Sequence, residues 1–299
     1  MINSVTGATE VSADTVVLPH EHAVIDYGQM AGRNSNITES DVEAMILQFQ
    51  TLAHRGVGVF VDCTPPGYGR DIALLQRISR DSGVLVVAST GTFCEEWNDL
   101  PSFVYQSSVD ELASFFTSEL NTHCGVIKVA TSYGVMRATE KKAFQAAAIA
   151  HANTGAPIVA HTTGSLGPEQ VNFLISHGVE SEKILVSHVC AANEPPEYAI
   201  AIASLGAYVG FDRIGHAAHN SDHWLDLMET LLDQGLSKQV LISHDSALRF
   251  EGPEAIASHT FSESTHIFDG FRSEFDARPA LSGLFSDLTT TNPLQWLTR

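Results

Sequence analysis

The stretch ILVSH, residues 184–188, decides how this chain is read. Its apolar residues run continuously instead of alternating, which suits a parallel strand covered on both faces. The run then ends on a histidine. An α/β barrel places its chemistry at the carboxyl ends of its strands. The same outline recurs in LPHEH (18–22), GVIKVAT (125–131), IVAHT (158–162) and LISHD (241–245). Together these stretches set His20, His22, Lys128, His161, His188 and Asp245 at strand ends. A lone buried histidine is most often a core residue with a hydrogen-bond partner. Five matched strand ends are not explained in that way.

Eight such runs divide the chain, at 15–23, 57–64, 84–91, 125–131, 156–161, 183–189, 207–212 and 239–245. Helical patterns lie between them. TESDVEAMILQFQTLAHRG (38–56) starts on Thr38 or Ser40 as N-cap and stops at Gly56. Asp71 can cap IALLQRISRDSG. TEKKAFQAAAIAHANTG opens at Thr139, with Lys142 where a capping box would hold Glu, and stops at Gly155. GPEQVNFLISHG and SDHWLDLMETLLDQG each close on a glycine suited to a left-handed cap. Alternation of this kind implies an α/β fold, a (β/α)8 TIM barrel with right-handed crossovers. The expected organisation is a single barrel domain over residues 1–299. The least regular segment, 246–280, reads as a lid or binding loop.

The chain has 299 residues, 44% hydrophobic and 17% charged, with 35 acidic against 16 basic residues and a formal charge of −19. That is a globular composition. The negative charge opposes binding to nucleic acid or an anionic membrane. Cys63, Cys94, Cys124 and Cys190 form no C-x-x-C pair, so neither a disulfide framework nor a thiolate zinc site is expected. The first residues, MINSVTGATEVSAD, lack a basic and then apolar leader, and no run is long enough to span a membrane. These features fit a cytoplasmic protein with a small-molecule substrate.

Residues two apart on a strand face the same side, so His20 and His22 can reach one ion. Nitrogen and carboxylate donors suit zinc, and also manganese, cobalt or iron. Lys128 sits within an apolar strand beside those donors. An ammonium ~4 Å from a divalent ion, at an effective dielectric near 20, is disfavoured by on the order of 8 kcal/mol. The lysine must pair with a strand-end carboxylate or change its chemistry. Carbon dioxide adding to the neutral amine would give an anionic carbamate able to bridge two metals.

The H-x-H, the lysine of IKVAT, TGAPIVAHT, the histidine of VSH, GAYVGFDRIG and LISHD together resemble the phosphotriesterase family of the amidohydrolase superfamily. VDCTPPGYGRD (61–71) matches that family's second-strand region. The resemblance covers nearly the whole chain. It implies a binuclear centre in which His20, His22 and Asp245 hold the buried metal, His161 and His188 hold the exposed one, and carbamylated Lys128 bridges both. It also implies a homodimer. Three departures stand out. Related lactonases carry a tyrosine after the third strand, where STGTFCEEW places Phe93. VCAANEPPEY follows His188 in place of an acidic, hydroxyl-rich turn. RIGHAAHNSDHW adds His216, His219 and His223 to the seventh loop.

The expected activity is hydrolysis of an ester or lactone, or of a phosphotriester, with a metal-bridging hydroxide as nucleophile and Asp245 as its base. An amide or N-acyl hydrolase, a mononuclear deaminase and a non-catalytic binding relative are the alternatives. No G-x-S-x-G elbow offers a serine nucleophile. Phe93, Asp212, Arg213 and Trp224 are the candidate substrate contacts, with Trp97 a possible further pocket residue. Asp212 and Arg213 could instead pair at the barrel mouth. His244, next to Asp245, should face away from the interior, and Arg70 and Asp71 should order the second loop.

Overall fold

The computed structural model describes residues 1–28, 36–96, 99–162, 164–189, 194–216, 221–252 and 263–298. Trp97, Cys190, His219 and Phe261 fall outside them. A short antiparallel hairpin, β1 (Ile2–Ser4) and β2 (Gly7–Thr9), comes first. Parallel strands β3 (Val16–Asp26), β4 (Val57–Asp62), β5 (Leu85–Gly91), β6 (Cys124–Ala130), β7 (Ile158–His161), β8 (Ile184–Ser187), β9 (Tyr208–Phe211) and β10 (Val240–Ile242) then pair in sequence order. After β10 the chain continues into β11 (Ala247–Glu251), which pairs in parallel with β3. The His22 N–H donates to the Ser246 carbonyl at 2.9 Å and the Asp245 N–H to the His20 carbonyl at 3.1 Å. The eighth strand is thus split in two, one half bound to β9 and the other to β3, and the sheet closes on itself. This is the barrel read from the sequence.

Alternation within the strands sorts the core into two layers. Val17, Val59, Val87, Val126, Val159, Leu185, Tyr208 and Leu241 fill the interior, and the N-terminal Ile2 and C-terminal Trp296 and Leu297 pack against them. Outward residues such as Phe60, Val86, Ile127, Val186 and Ile242 pack under the helices. Moving two residues along a strand keeps the same face. Lys128 follows Val126, His161 follows Val159, and Asp245 follows Leu241 through Ser243. The barrel interior therefore changes from apolar to ligand chemistry toward the carboxyl ends of its strands.

Local signals place the covering helices. Thr38 caps α1 (Glu39–His54) in a reciprocal box with Asp41, whose carboxylate accepts the Thr38 N–H at 2.8 Å. Asp71 caps α2 (Ile72–Ser82) by accepting the Leu74 N–H at 3.0 Å. Two further helices, α3 (Ser102–Gln106) and α4 (Val109–Leu120), precede β6. Helix α5 (Ala138–Thr154) begins earlier than the expected Thr139 start. Glu140, not Lys142, is its third residue and accepts the Arg137 N–H at 2.8 Å. Helices α6 (Gly167–Ser176), α7 (Pro196–Ser204) and α8 (Ser221–Asp233) follow β7, β8 and β9.

Arg70 anchors the second loop to its surroundings: it donates to Glu119 of α4 through Nη1 at 3.0 Å and Nη2 at 2.5 Å, and to the Ser89 carbonyl of β5 at 2.8 Å. One expectation is corrected: 246–280 is not one irregular loop. It opens as β11, and residues 267–276 are helical, with Ile267, Phe271 and Phe275 buried in the outer core. Phe271 and Phe275 pack this helical part on the outer core, and Phe268 meets the Phe285 ring with centroids 6.4 Å apart.

Candidate metal centre

His22 and Asp245 meet at the mouth of the first and eighth strands, with His22 Nε2 3.2 Å from Asp245 Oδ1. His20 Nε2 lies 3.6 Å from the same oxygen. His161 Nδ1 and His188 Nε2 face each other at 2.8 Å. Lys128 Nζ sits 3.0 Å from His20 Nε2. One donor atom each from His20, His188 and Asp245 falls within a 4.8 Å cluster. All six side chains are buried. The structure thus brings together every residue expected of the centre, on or just after five different strands.

The surrounding groups decide which nitrogen each ring presents. The Thr64 hydroxyl donates to the Val24 carbonyl at 3.1 Å, so it accepts from His22 Nδ1–H at 2.8 Å. That leaves His22 Nε2 with a free lone pair beside Asp245. Asp212 accepts from His20 Nδ1 at 2.7 Å through one oxygen. Its other oxygen accepts from the His188 N–H at 2.8 Å and from His188 Nδ1 at 2.9 Å. A carboxylate behind an imidazole fixes its tautomer and turns the other nitrogen toward a metal. Asp212, expected to touch substrate or pair with its neighbour, instead holds two of the site's imidazoles and is 2% exposed.

Protonation states suit cation binding. Burial first, then the Lys128 charge, lowers His20. Burial and the neighbouring His188 hold His161 well below the usual imidazole range. Burial and Arg213 lower His188 to about 3. Burial alone would raise Asp245, but His188, His22, His20 and Arg213 around it keep it well below the carboxylate range. Burial likewise opposes ionisation of Asp212, yet His188 and His20 hold it ionised. Neutral imidazoles and ionised carboxylates are the forms that ligate divalent ions.

Lys128 is 1% exposed and forms no ion pair with a carboxylate of the described residues; its polar neighbour is His20. The carboxylate pairing considered from the sequence is absent there. Gly91, opposite Lys128 in the β5–β6 ladder, lets the strands approach. A Cβ at its φ of 103° would lie 1.9 Å from the Lys128 carbonyl oxygen.

His188 and Asp245 adopt left-handed backbone conformations, with φ of 61° and 52°. Such strain persists only where surroundings enforce it. Glu21, between the two H-x-H histidines, faces outward and enforces it at Asp245. Its carboxylate accepts from Ser243 Oγ (2.8 Å), His244 N (2.9 Å), His244 Nδ1 (2.8 Å), Ser246 N (2.9 Å) and Ser246 Oγ (2.7 Å). His244 faces away from the site and accepts the Ile267 N–H at 3.0 Å. The sequence reading passed over Glu21, although alternation between two inward histidines already required it to face outward. Thr64 was missed too, and nothing local in TPPG announces its partner.

The other expected contacts separate. Phe93 is half-buried with its ring against His161, centroids 4.7 Å apart. Arg213 Nε donates to Asp245 Oδ2 at 3.0 Å. Trp224 is corrected: it is 2% exposed in the outer core under α8, because it lies on that helix's inner face. His216 donates to the His244 carbonyl at 2.7 Å, binding the seventh loop to the eighth strand.

A barrel with buried histidines, a carboxylate and a lysine that pairs with no carboxylate among the described residues, all converging at its carboxyl end, defines a metal-dependent hydrolase of ester, lactone or phosphotriester bonds. The chain belongs to the phosphotriesterase family, whose model matches residues 1–296. It is similar to the phosphotriesterase homology protein of Escherichia coli, 34% identical over 78% of this chain and 82% of that one. It is also similar to an aryldialkylphosphatase of Saccharolobus solfataricus, 32% identical over 64% of this chain and 63% of that one. Among solved structures, a variant of a phosphotriesterase-like lactonase from Deinococcus radiodurans superposes with a TM-score of 0.86. Identity is 28%, over 99% of this chain and 100% of that one.

Proposed function

We propose that this chain hydrolyses an ester or lactone at a centre of two divalent ions held by His20, His22, Asp245, His161, His188 and a carbamylated Lys128. The observation that carries this reading is Lys128: a buried lysine that meets an imidazole and pairs with no carboxylate among the described residues, between two groups of metal-type donors. His20, His22 and Asp245 would hold the inner ion and His161 with His188 the outer one. Bound there, divalent ions lower the pKa of water toward about 7 and polarise the substrate oxygen. Asp245 accepts the proton of the attacking water, and Arg213 steadies that carboxylate from the solvent side. Asp212 keeps His20 and His188 in the tautomer that faces inward. Phe93 and the Tyr68 ring beside it, with centroids 5.7 Å apart, form a wall for the acyl portion of the substrate. Burying such a group stabilises the complex by roughly 1.5–3 kcal/mol.

Zinc is the ion we favour, since imidazole nitrogens and a carboxylate suit it, with manganese, cobalt or iron as the alternatives. The reading extends to a single-domain, cytoplasmic homodimer, which rests on composition and family resemblance. No helix of the described residues is long and apolar enough to cross a membrane.

The test is a panel of lactones, aryl and alkyl esters, N-acyl amino acids and phosphotriesters, assayed with metal-loaded protein alongside elemental analysis. Two ions per chain and highest kcat/KM on a lactone or ester are expected. Lys128→Ala should lose metal and activity together, with propionate restoring part of both. One ion per chain at saturation would overturn the two-ion centre. An amide or phosphotriester turned over at least tenfold faster than every ester would overturn the bond class.

A further inference from the structure

Phe93 and Cys94 follow β5 but belong to no strand, so the sheet itself does not hold them. The residues on either side do. The Thr92 N–H donates to the Lys128 carbonyl at 2.9 Å, which pins one end to β6. At the other end the Glu95 backbone is gripped twice from the start of α5. Its N–H donates to Glu140 Oε1 at 3.1 Å, and its carbonyl accepts from Arg137 Nη1 at 3.0 Å. Between these anchors Cys94 is buried, and Phe93 lays its ring on His161.

Glu140 is the centre of this arrangement, and it is 0% exposed. Its Oε1 also accepts from the Ser132 N–H at 3.0 Å and the Ser132 hydroxyl at 2.5 Å, while Oε2 accepts the Arg137 N–H. One side chain thus ties together the segment after β5, the segment after β6 and the first turn of α5. A second tie runs the other way, from the Tyr133 N–H to the Glu96 carboxylate at 3.0 Å. None of these bonds reaches an expected metal ligand. What they fix is the backbone that carries Phe93. A side chain defines a binding wall only if its supports hold it to within about 0.5 Å.

We propose that Glu140 is a positioning residue for substrate selection: by holding Glu95 it sets how closely the Phe93 ring meets the acyl group. The inference rests on the ester or lactone reading above, with Phe93 as its acyl wall. Alanine at 140 leaves the Glu95, Ser132 and Arg137 N–H groups without their acceptor. Buried donors in that state are costly, so the backbone shifts to find other partners. Glutamine keeps a carbonyl oxygen in place and can still accept from Glu95.

The experiment compares metal-loaded wild type, Glu140→Ala and Glu140→Gln on the ethyl esters of acetic and phenylacetic acid, which share one leaving alcohol. The quantity read is kcat/KM on the phenylacetyl ester divided by that on the acetyl ester. In Glu140→Ala this ratio should fall about tenfold, through a higher KM on the phenylacetyl ester, with metal content unchanged. In Glu140→Gln it should stay within threefold of wild type. In a Phe93→Ala background, adding Glu140→Ala should no longer move the ratio. If Glu140→Ala does not fold, Arg137→Ala, at an exposed side chain, takes its place, with a fall of at least threefold expected. A ratio that does not fall, a fall as large in Glu140→Gln as in Glu140→Ala, or the same fall in the Phe93→Ala background would overturn the proposal while leaving the ester reading intact. Wild-type protein that turns over neither ester removes the ester reading, and this proposal with it.

Discussion

Asp245 is the residue on which the most functions meet. It faces His22 and His20, receives a hydrogen bond from Arg213, and stands on a left-handed backbone. Asp245→Asn keeps the shape and removes both the charge and the proton acceptor. General-base catalysis is typically worth ~10²–10⁴-fold, so kcat should fall at least that far, and bound metal should fall with it. Activity within tenfold of wild type, with the full metal complement by elemental analysis, would place the base elsewhere. Its depressed protonation was not legible in LISHD, because every group responsible comes from another strand.

The split eighth strand is the element that makes the site possible. The four residues between β10 and β11 form a turn whose donors are gathered by a single carboxylate from β3, with Asp245 toward the site and His244 away from it. Removing Glu21 leaves Ser243, His244 and Ser246 donors buried without an acceptor. Breaking a buried charged network of this kind costs roughly 3–5 kcal/mol. Glu21→Ala should therefore lower the urea midpoint markedly and release metal, although Glu21 touches no expected ligand position. Unchanged stability by urea denaturation would show that the turn holds itself. The strands, their order and five of the helices were legible from apolar runs and caps. The hairpin β1–β2, α3, α4 and β11 were not, because short or amphipathic segments carry weak local signals and β11 depends on its partner.

At the scale of the whole molecule, the concentration of neutral imidazoles inside the barrel links stability to pH. The His188 pKa falls to about 3 in the folded protein, against about 6.5 when unfolded. His161 and His20 move the same way. The unfolded chain therefore binds more protons than the folded one between those values, and folding weakens as pH falls below about 6.5. Each such group contributes a slope of about 1.4 kcal/mol per pH unit. The ionised Asp212 and Asp245 act in the same direction, but only below their unfolded values near 3.9. Metal-stripped protein should lose urea stability steadily from pH 6.5 to pH 4. A flat profile over that range would mean the imidazoles are already protonated in the folded state.

What the sequence by itself determined was the strand series, the barrel class and the residues at its carboxyl ends. Those features are written in runs of a few residues with a fixed period, so they survive without knowledge of neighbours. Tertiary structure alone decided that Asp212 serves two imidazoles, that Trp224 is core, and that Lys128 pairs with no carboxylate among the described residues. Each depends on residues far apart in the chain, such as Glu21 and Ser243 at a separation of 222 positions. Barrel closure and strand register bring such residues into contact, and no local pattern encodes either.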